Sequence, residues 1–208
     1  MVRPLAVAMS GLMLLGGGAK VAAPVEEPAL SYTATGEMKY PEHYREWVYV
    51  TSGLGMSYQP SASTGSMGPM FDNVFVNPTA YKAFVATGTW PDKTVLVLEV
   101  RASETKVSID QHGSSQGAVM GVEVHVKDAT LPGGWGFFEF DPDKPAPAKI
   151  VERPASCYTC HDAHAAVDTT FVQFYPTLLP LATQKKTLSA SYLKDLQATT
   201  PVAQPPAK

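Results

Sequence analysis

Apolar and polar positions alternate most regularly over residues 118–127, where Val122, Val124 and Val126 interleave with Glu123, His125 and Lys127. A period of two predicts a strand with one buried and one polar face. Residues 94–100 are apolar at nearly every position, which predicts a strand covered on both sides and so central in its sheet. Shorter β-prone runs stand at 47–51 and 73–76. After the turn residues Pro132, Gly133 and Gly134 comes a fifth run, 135–140, most simply antiparallel to its predecessor. The period changes at Tyr81, Phe84 and Val85, spaced i, i+3 and i+4 as on one helix face. Asn77 is placed to cap this helix, Pro78 to open it and Gly88 to stop it. A short helix or turn is expected at 40–47, a helix from the cap Ser156 to Ala165 or Ala166, an extended segment at 169–175 and a terminal helix at 188–196. Loops fall at 53–68 and 113–117, and a Pro-rich connector at 141–147. The resulting class is α+β, predominantly antiparallel β-sheet with a few helices.

The two ends differ from this middle. Arg3 followed by an eleven-residue apolar run, 5–15, and by small residues up to Ala23 has the form of an export signal. Eleven residues are too few to span a bilayer, which argues against an uncleaved anchor. The expected organisation is a signal peptide at 1–23, a flexible leader at 24–38, one domain at 39–180, and a terminal helix with a disordered tail at 181–208. The expected location is the periplasm or another exported compartment, with no membrane span after processing. The 208 residues are 45% hydrophobic, enough for a sizeable core, and carry a net charge of −3. That balance excludes the usual nucleic-acid and membrane-surface binders.

Only two cysteines occur, in Ser156-Cys157-Tyr158-Thr159-Cys160-His161. Cys-x-x-Cys-His is the attachment pattern of a c-type haem. On a helix, positions i, i+3 and i+4 share a face, so both thiols can form thioethers along one haem edge while the histidine meets the iron. A zinc site would need further ligands in a closed set, and no second Cys or Cys/His pair exists. A thioredoxin-like dithiol belongs after a strand in a βαβ pattern, which is absent. The expected cofactor is one haem c, covalent through Cys157 and Cys160, with His161 on the iron and its other ring nitrogen donating to a carbonyl or carboxylate.

Beyond this motif the chain resembles the cytochrome P-460 family, with its cytochrome c′-beta relatives. The resemblance rests on Tyr44-Arg45-Glu46-Trp47-Val48, on Val76-Asn77-Pro78 with Tyr81, and on Thr87-Gly88-Thr89-Trp90-Pro91-Asp92-Lys93-Thr94-Val95. Val126-Lys127-Asp128, Gly134-Trp135-Gly136-Phe137 and Phe174-Tyr175-Pro176 continue it over residues 40–179. It implies an antiparallel sheet with a few helices, a homodimer, and an iron with one protein ligand, which carries over to His161. It also implies a small ligand such as nitric oxide, hydroxylamine, peroxide or carbon monoxide, and a redox partner protein. Oxidoreductase activity, hydroxylamine oxidation or peroxidase-like, is open. In hydroxylamine-oxidising members a strand lysine is joined to the haem ring; an ungapped alignment puts Leu98 there, so no cross-link is expected.

For the distal pocket, Phe71 is the candidate aromatic cap and Glu123 the candidate polar group. Tyr175, Phe174, Trp135 and Phe137 are expected in the core, and His164 as a surface or relay histidine. The competing reading is an electron carrier with Met or His as sixth ligand. Met70 and Met120 are the first suspects, and Met56, Met67, His43, His112 and His125 the others.

Overall fold

The computed structural model describes residues 29–57 and 68–199. The predicted signal, the tail beyond 199 and Met67 lie outside the described residues. Five antiparallel strands form one sheet in chain order: β1 (Val48–Leu54), β2 (Met70–Val76), β3 (Val95–Glu104), β4 (Ser115–Lys127) and β5 (Trp135–Phe140). The apolar run at 94–100 is the middle strand, as its two-sided apolarity requires. Among the described residues, four α-helices accompany the sheet: α1 (Pro78–Thr87), α2 (Ser156–His164), α3 (Leu179–Lys185) and α4 (Ala190–Thr199).

Residues paired across strands share a face. One row runs Val76, Leu96, His125, Phe137, and the next Val74, Leu98, Glu123, Glu139. This face is covered by α1, by residues 165–178 and by α3, with Phe84, Trp90, Val172, Tyr175, Leu178 and Ala182 buried against it. The opposite face carries Val95, Val97, Val122, Val124, Val126 and Phe138. Met38 and Tyr44 close it, so residues 29–38 belong to the fold rather than to a flexible leader. Met38 is fully buried and bridges both Tyr32 and Ala148.

Glu99, 2% exposed, sits on this second face. It accepts from Tyr44 Oη, Arg45 Nε and Arg101 Nε. Burial would raise its carboxyl, but the donations from Arg101, Tyr44 and Arg45 hold it below the usual range.

Four local expectations need correction. Asn77 precedes α1 but makes no side-chain cap bond; its Oδ1 instead accepts from Val95 N at 2.9 Å, tying the helix start to β3. Ser156 is the first helical residue and Ala155 the cap position. The segment 169–175 is not extended. It finds no strand to pair with, and forms a Val167–Thr170 bridge around Asp168 (φ 52°) and then a 3-10 turn at Val172–Phe174. Finally, the polar row of β4 is only partly in water: His125 is buried and Lys127 half-buried, while Glu123 stays exposed. It looks into the space beneath the helices, where the candidate site lies.

Candidate functional site

Helix α2 is fixed by its one buried residue, Tyr158. The Tyr158 hydroxyl donates to Val151 O at 2.9 Å, and Arg153 lies over the ring at 3.7 Å. Cys157 and Cys160, one helical turn apart, remain partly exposed with free thiols. Burial raises both thiols above their ordinary value. A redox dithiol works through a lowered thiol pKa, so this environment does not suit one.

His161 turns inward from α2. Its Nδ1 donates to Thr169 O at 2.6 Å. The acceptor is a carbonyl, so this nitrogen carries the proton and Nε2 keeps its lone pair. The tight turn at Asp168 brings the carbonyl back to a histidine eight residues earlier in the chain. Trp90 holds the turn from outside: its Nε1 donates to Thr170 Oγ1 at 2.7 Å, and Thr170 Oγ1 donates to Val167 O at 2.8 Å.

The imidazole of His161 lies among rings. Phe171 is 4.2 Å away between centroids, Phe137 4.7 Å and His125 4.9 Å. These groups border a cavity of about 120 Å³ whose wall includes Leu96, Leu98, Glu123 and Tyr175. A wider cavity of about 520 Å³ shares Val74, Leu98, Phe171 and Tyr175 with it and adds Met56 and Asp72. The wider space is in the range of cofactor and ligand cavities. A haem fits this donor set: an imidazole whose free nitrogen is fixed by a carbonyl, two thiols on the same helix, and a mostly apolar wall.

Two carboxyls stand among the polar groups on these walls, Glu123 on the smaller cavity and Asp72 on the wider. Glu123 stands opposite Glu139 on β5. Its carboxyl is pushed up by burial, and further by Glu139 and Asp72. Burial also raises Asp72. A carboxyl whose pKa is raised on folding opposes stability once pH passes the unfolded value. Glu123→Gln should therefore raise the thermal midpoint at pH 7 and leave it unchanged at pH 3, where wild type is also neutral. Equal shifts at both pH values, read by circular dichroism, would refute this.

The predicted residues divide clearly. Cys157, Cys160 and His161 share α2, and Glu123 joins His161 on the cavity wall. Phe71 does not: strand alternation puts it with Asn73 and Phe75, away from Asp72 and Val74, which line the wider cavity. Met70 and Met120 line neither cavity, whereas Met56 does. His164 Nδ1 meets Asp195 on α4 at 2.6 Å. His43 sits beside Glu46 on the surface, and His112 is exposed in the β3–β4 loop. Trp135, Phe137 and Tyr175 are buried as expected, but Phe174 is 37% exposed at the mouth of the wider cavity.

Sequence reasoning missed Phe171, which packs 4.2 Å from the His161 ring and lines both cavities, and it left His125 on the polar face of its strand. His125 is buried, stacked on Phe137 at 4.0 Å and 10°, and held neutral by burial and by His161. A signal for it existed. The paired strand β5 is aromatic at Trp135 and Phe137, the positions beside Lys127 and His125, and such neighbours mark a covered face. The family model described as Cytochrome P460 matches residues 41–172, well over half of the chain. No curated protein matches the chain.

Proposed function

The chain belongs to the cytochrome P460 family, a family of haem proteins, and on that premise we propose that it is an exported mono-haem c-type cytochrome whose iron binds or transforms a small nitrogen or oxygen species. In this reading Cys157 and Cys160 hold the haem through thioethers and His161 is the axial ligand. Nitric oxide, hydroxylamine and peroxide are the candidate species, with carbon monoxide as a probe. The observation that carries it is the hydrogen bond from His161 Nδ1 to Thr169 O at 2.6 Å, made beside a largely apolar cavity. Bound haem supplies ligand binding and one-electron redox chemistry.

The chain's own residues then divide the work. Thr169 orients His161. Phe171, Leu98, Val74 and Tyr175 exclude water from the cavity wall. Glu123 stands on the wall of the smaller cavity with its carboxyl pushed up, and can exchange a proton with a ligand bound near it. An uncross-linked haem is also part of the proposal. Leu98 stands on the cavity wall, no lysine among the described residues lines either cavity, and Lys93 lies before β3 in an ion pair with Asp128 at 2.6 Å. Export rests on the amino-terminal pattern. No helix among the described residues is long and apolar enough to cross a membrane. The family resemblance supports a homodimer and a redox partner protein.

The test is the absorption spectrum of the ferrous protein with and without carbon monoxide. A five-coordinate spectrum that shifts on adding the gas is expected. A six-coordinate, low-spin spectrum indifferent to carbon monoxide would sink the reading. Met56 on the wall of the wider cavity favours one alternative, an electron carrier with a thioether as sixth ligand. Met56→Ala should then convert a low-spin iron to high spin.

A further inference from the structure

We propose that His125 is a positioning residue for the axial histidine, acting through Thr169 to fix the carbonyl that holds His161. The proposal rests on the reading of His161 as iron ligand. Thr169 presents two groups in two directions. Its carbonyl accepts from His161 Nδ1 at 2.6 Å, and its hydroxyl meets His125 Nε2 at 3.2 Å. A continuous path therefore runs from the ligand through one loop residue to a strand.

The far end of this path is rigid. His125 sits inside the β3–β4–β5 ladder, opposite Leu96 on one side and Phe137 on the other. Its ring is stacked on Phe137 at 4.0 Å and tilted against Trp135 at 4.5 Å. The near end needs such a support. Thr169 lies on a turn whose next residue, Thr170, is held by Trp90, but that bond does not reach the carbonyl of Thr169. The His125 contact is on Thr169 itself. The edge of the His125 ring also meets the His161 ring at 4.9 Å and 75°, which limits rotation of the ligand about its own axis.

A purely structural role would not need an imidazole. Phenylalanine would stack on Phe137 equally well, and burying a polar ring has a cost unless it is hydrogen-bonded. What the nitrogen adds is the bond to Thr169. The strength of the Nδ1–H···O bond governs how basic the metal-binding nitrogen is. Loosening Thr169 should therefore weaken the iron–histidine bond and favour the reduced iron.

The test is the iron–histidine stretching band in resonance Raman spectra of the ferrous holoprotein, together with the reduction potential. Thr169→Val keeps the carbonyl and the volume but removes the hydroxyl. It should lower the band frequency and raise the potential, and His125→Phe should do the same. Thr169→Ser, and His125→Gln, whose amide reaches near the Nε2 position, should return both towards wild type. The double variant Thr169→Val with His125→Phe should move the band no further than either single change.

A band unmoved in Thr169→Val, or equally displaced in His125→Phe and His125→Gln, overturns the inference. A lowered thermal midpoint without a band shift means that His125 only packs, and overturns it too. His161→Ala separates this failure from that of the underlying reading. If wild type has no band that His161→Ala abolishes, the five-coordinate iron on His161 is absent and both fall; if that band exists but ignores Thr169, only the inference falls.

Discussion

A chain in which Cys157 and Cys160 are both replaced by alanine should fold yet retain no haem through a denaturing gel, whereas each single variant keeps one thioether and retains it. The expected contrast is near-complete loss against near-complete retention, read by haem staining. Folding should survive because neither cysteine holds the core. Both are partly exposed, while Tyr158 anchors α2 through Val151 and Phe137. The His161–Thr169 bond is untouched, so the double variant should still take up haem reversibly. Loss of the folded circular-dichroism signal in the double variant would give the cysteines a structural role instead. Haem retained on the gel would place the covalent attachment elsewhere.

Much of the architecture was legible because apolar periodicity is set by burial. The two-sided apolar run became the central strand, and the valines of β4 became core. The Tyr81, Phe84, Val85 spacing became α1, ended by Gly88 in the left-handed region at φ 78°. What could not be read was which protein layer covers a polar row. Glu123, His125 and Lys127 look the same on a strand whether water or a cofactor cavity faces them. The choice depends on residues 165–178, some forty positions away. Phe171 carried no local signal, since what ties its turn to the rest of the fold is a bond from Trp90 to Thr170, eighty residues apart in the chain. The converse also holds. Several residues that carry the family resemblance serve the scaffold: Trp90 pins the turn at Thr170, Asp92 accepts from Ala129 N at 2.8 Å, and Lys93 pairs with Asp128.

That last pair leads to the largest expected stability effect. Asp128 is fully buried at the end of β4. Its carboxylate receives Lys93 Nζ at 2.6 Å, Thr130 N at 2.9 Å, Thr130 Oγ1 at 2.7 Å and Tyr32 Oη at 3.1 Å. Burial alone would raise the carboxyl, but these donors, Lys93 foremost, bring it from 3.8 down to about 2. A depressed carboxyl contributes stability above its unfolded pKa and loses it as pH falls through the folded one. The contribution is about 2 kcal/mol at neutral pH, with part of the Lys93 attraction screened because that side chain is half exposed. Asp128→Ala also strands its donors and should cost about 3 kcal/mol at pH 7. Asp128→Asn keeps the volume and should lose about 2 kcal/mol there. In urea unfolding followed from pH 7 to pH 2, wild type should lose its advantage over Asp128→Asn between about pH 4 and pH 2. Curves that stay parallel across that window would show that Asp128 is not the group that titrates. The N-terminal arm supplies the independent check, because Tyr32 reaches Asp128 from the far end of the described chain. Tyr32→Phe should remove only the weakest of the four donations, lowering stability by about 1 kcal/mol and leaving the acid transition in place.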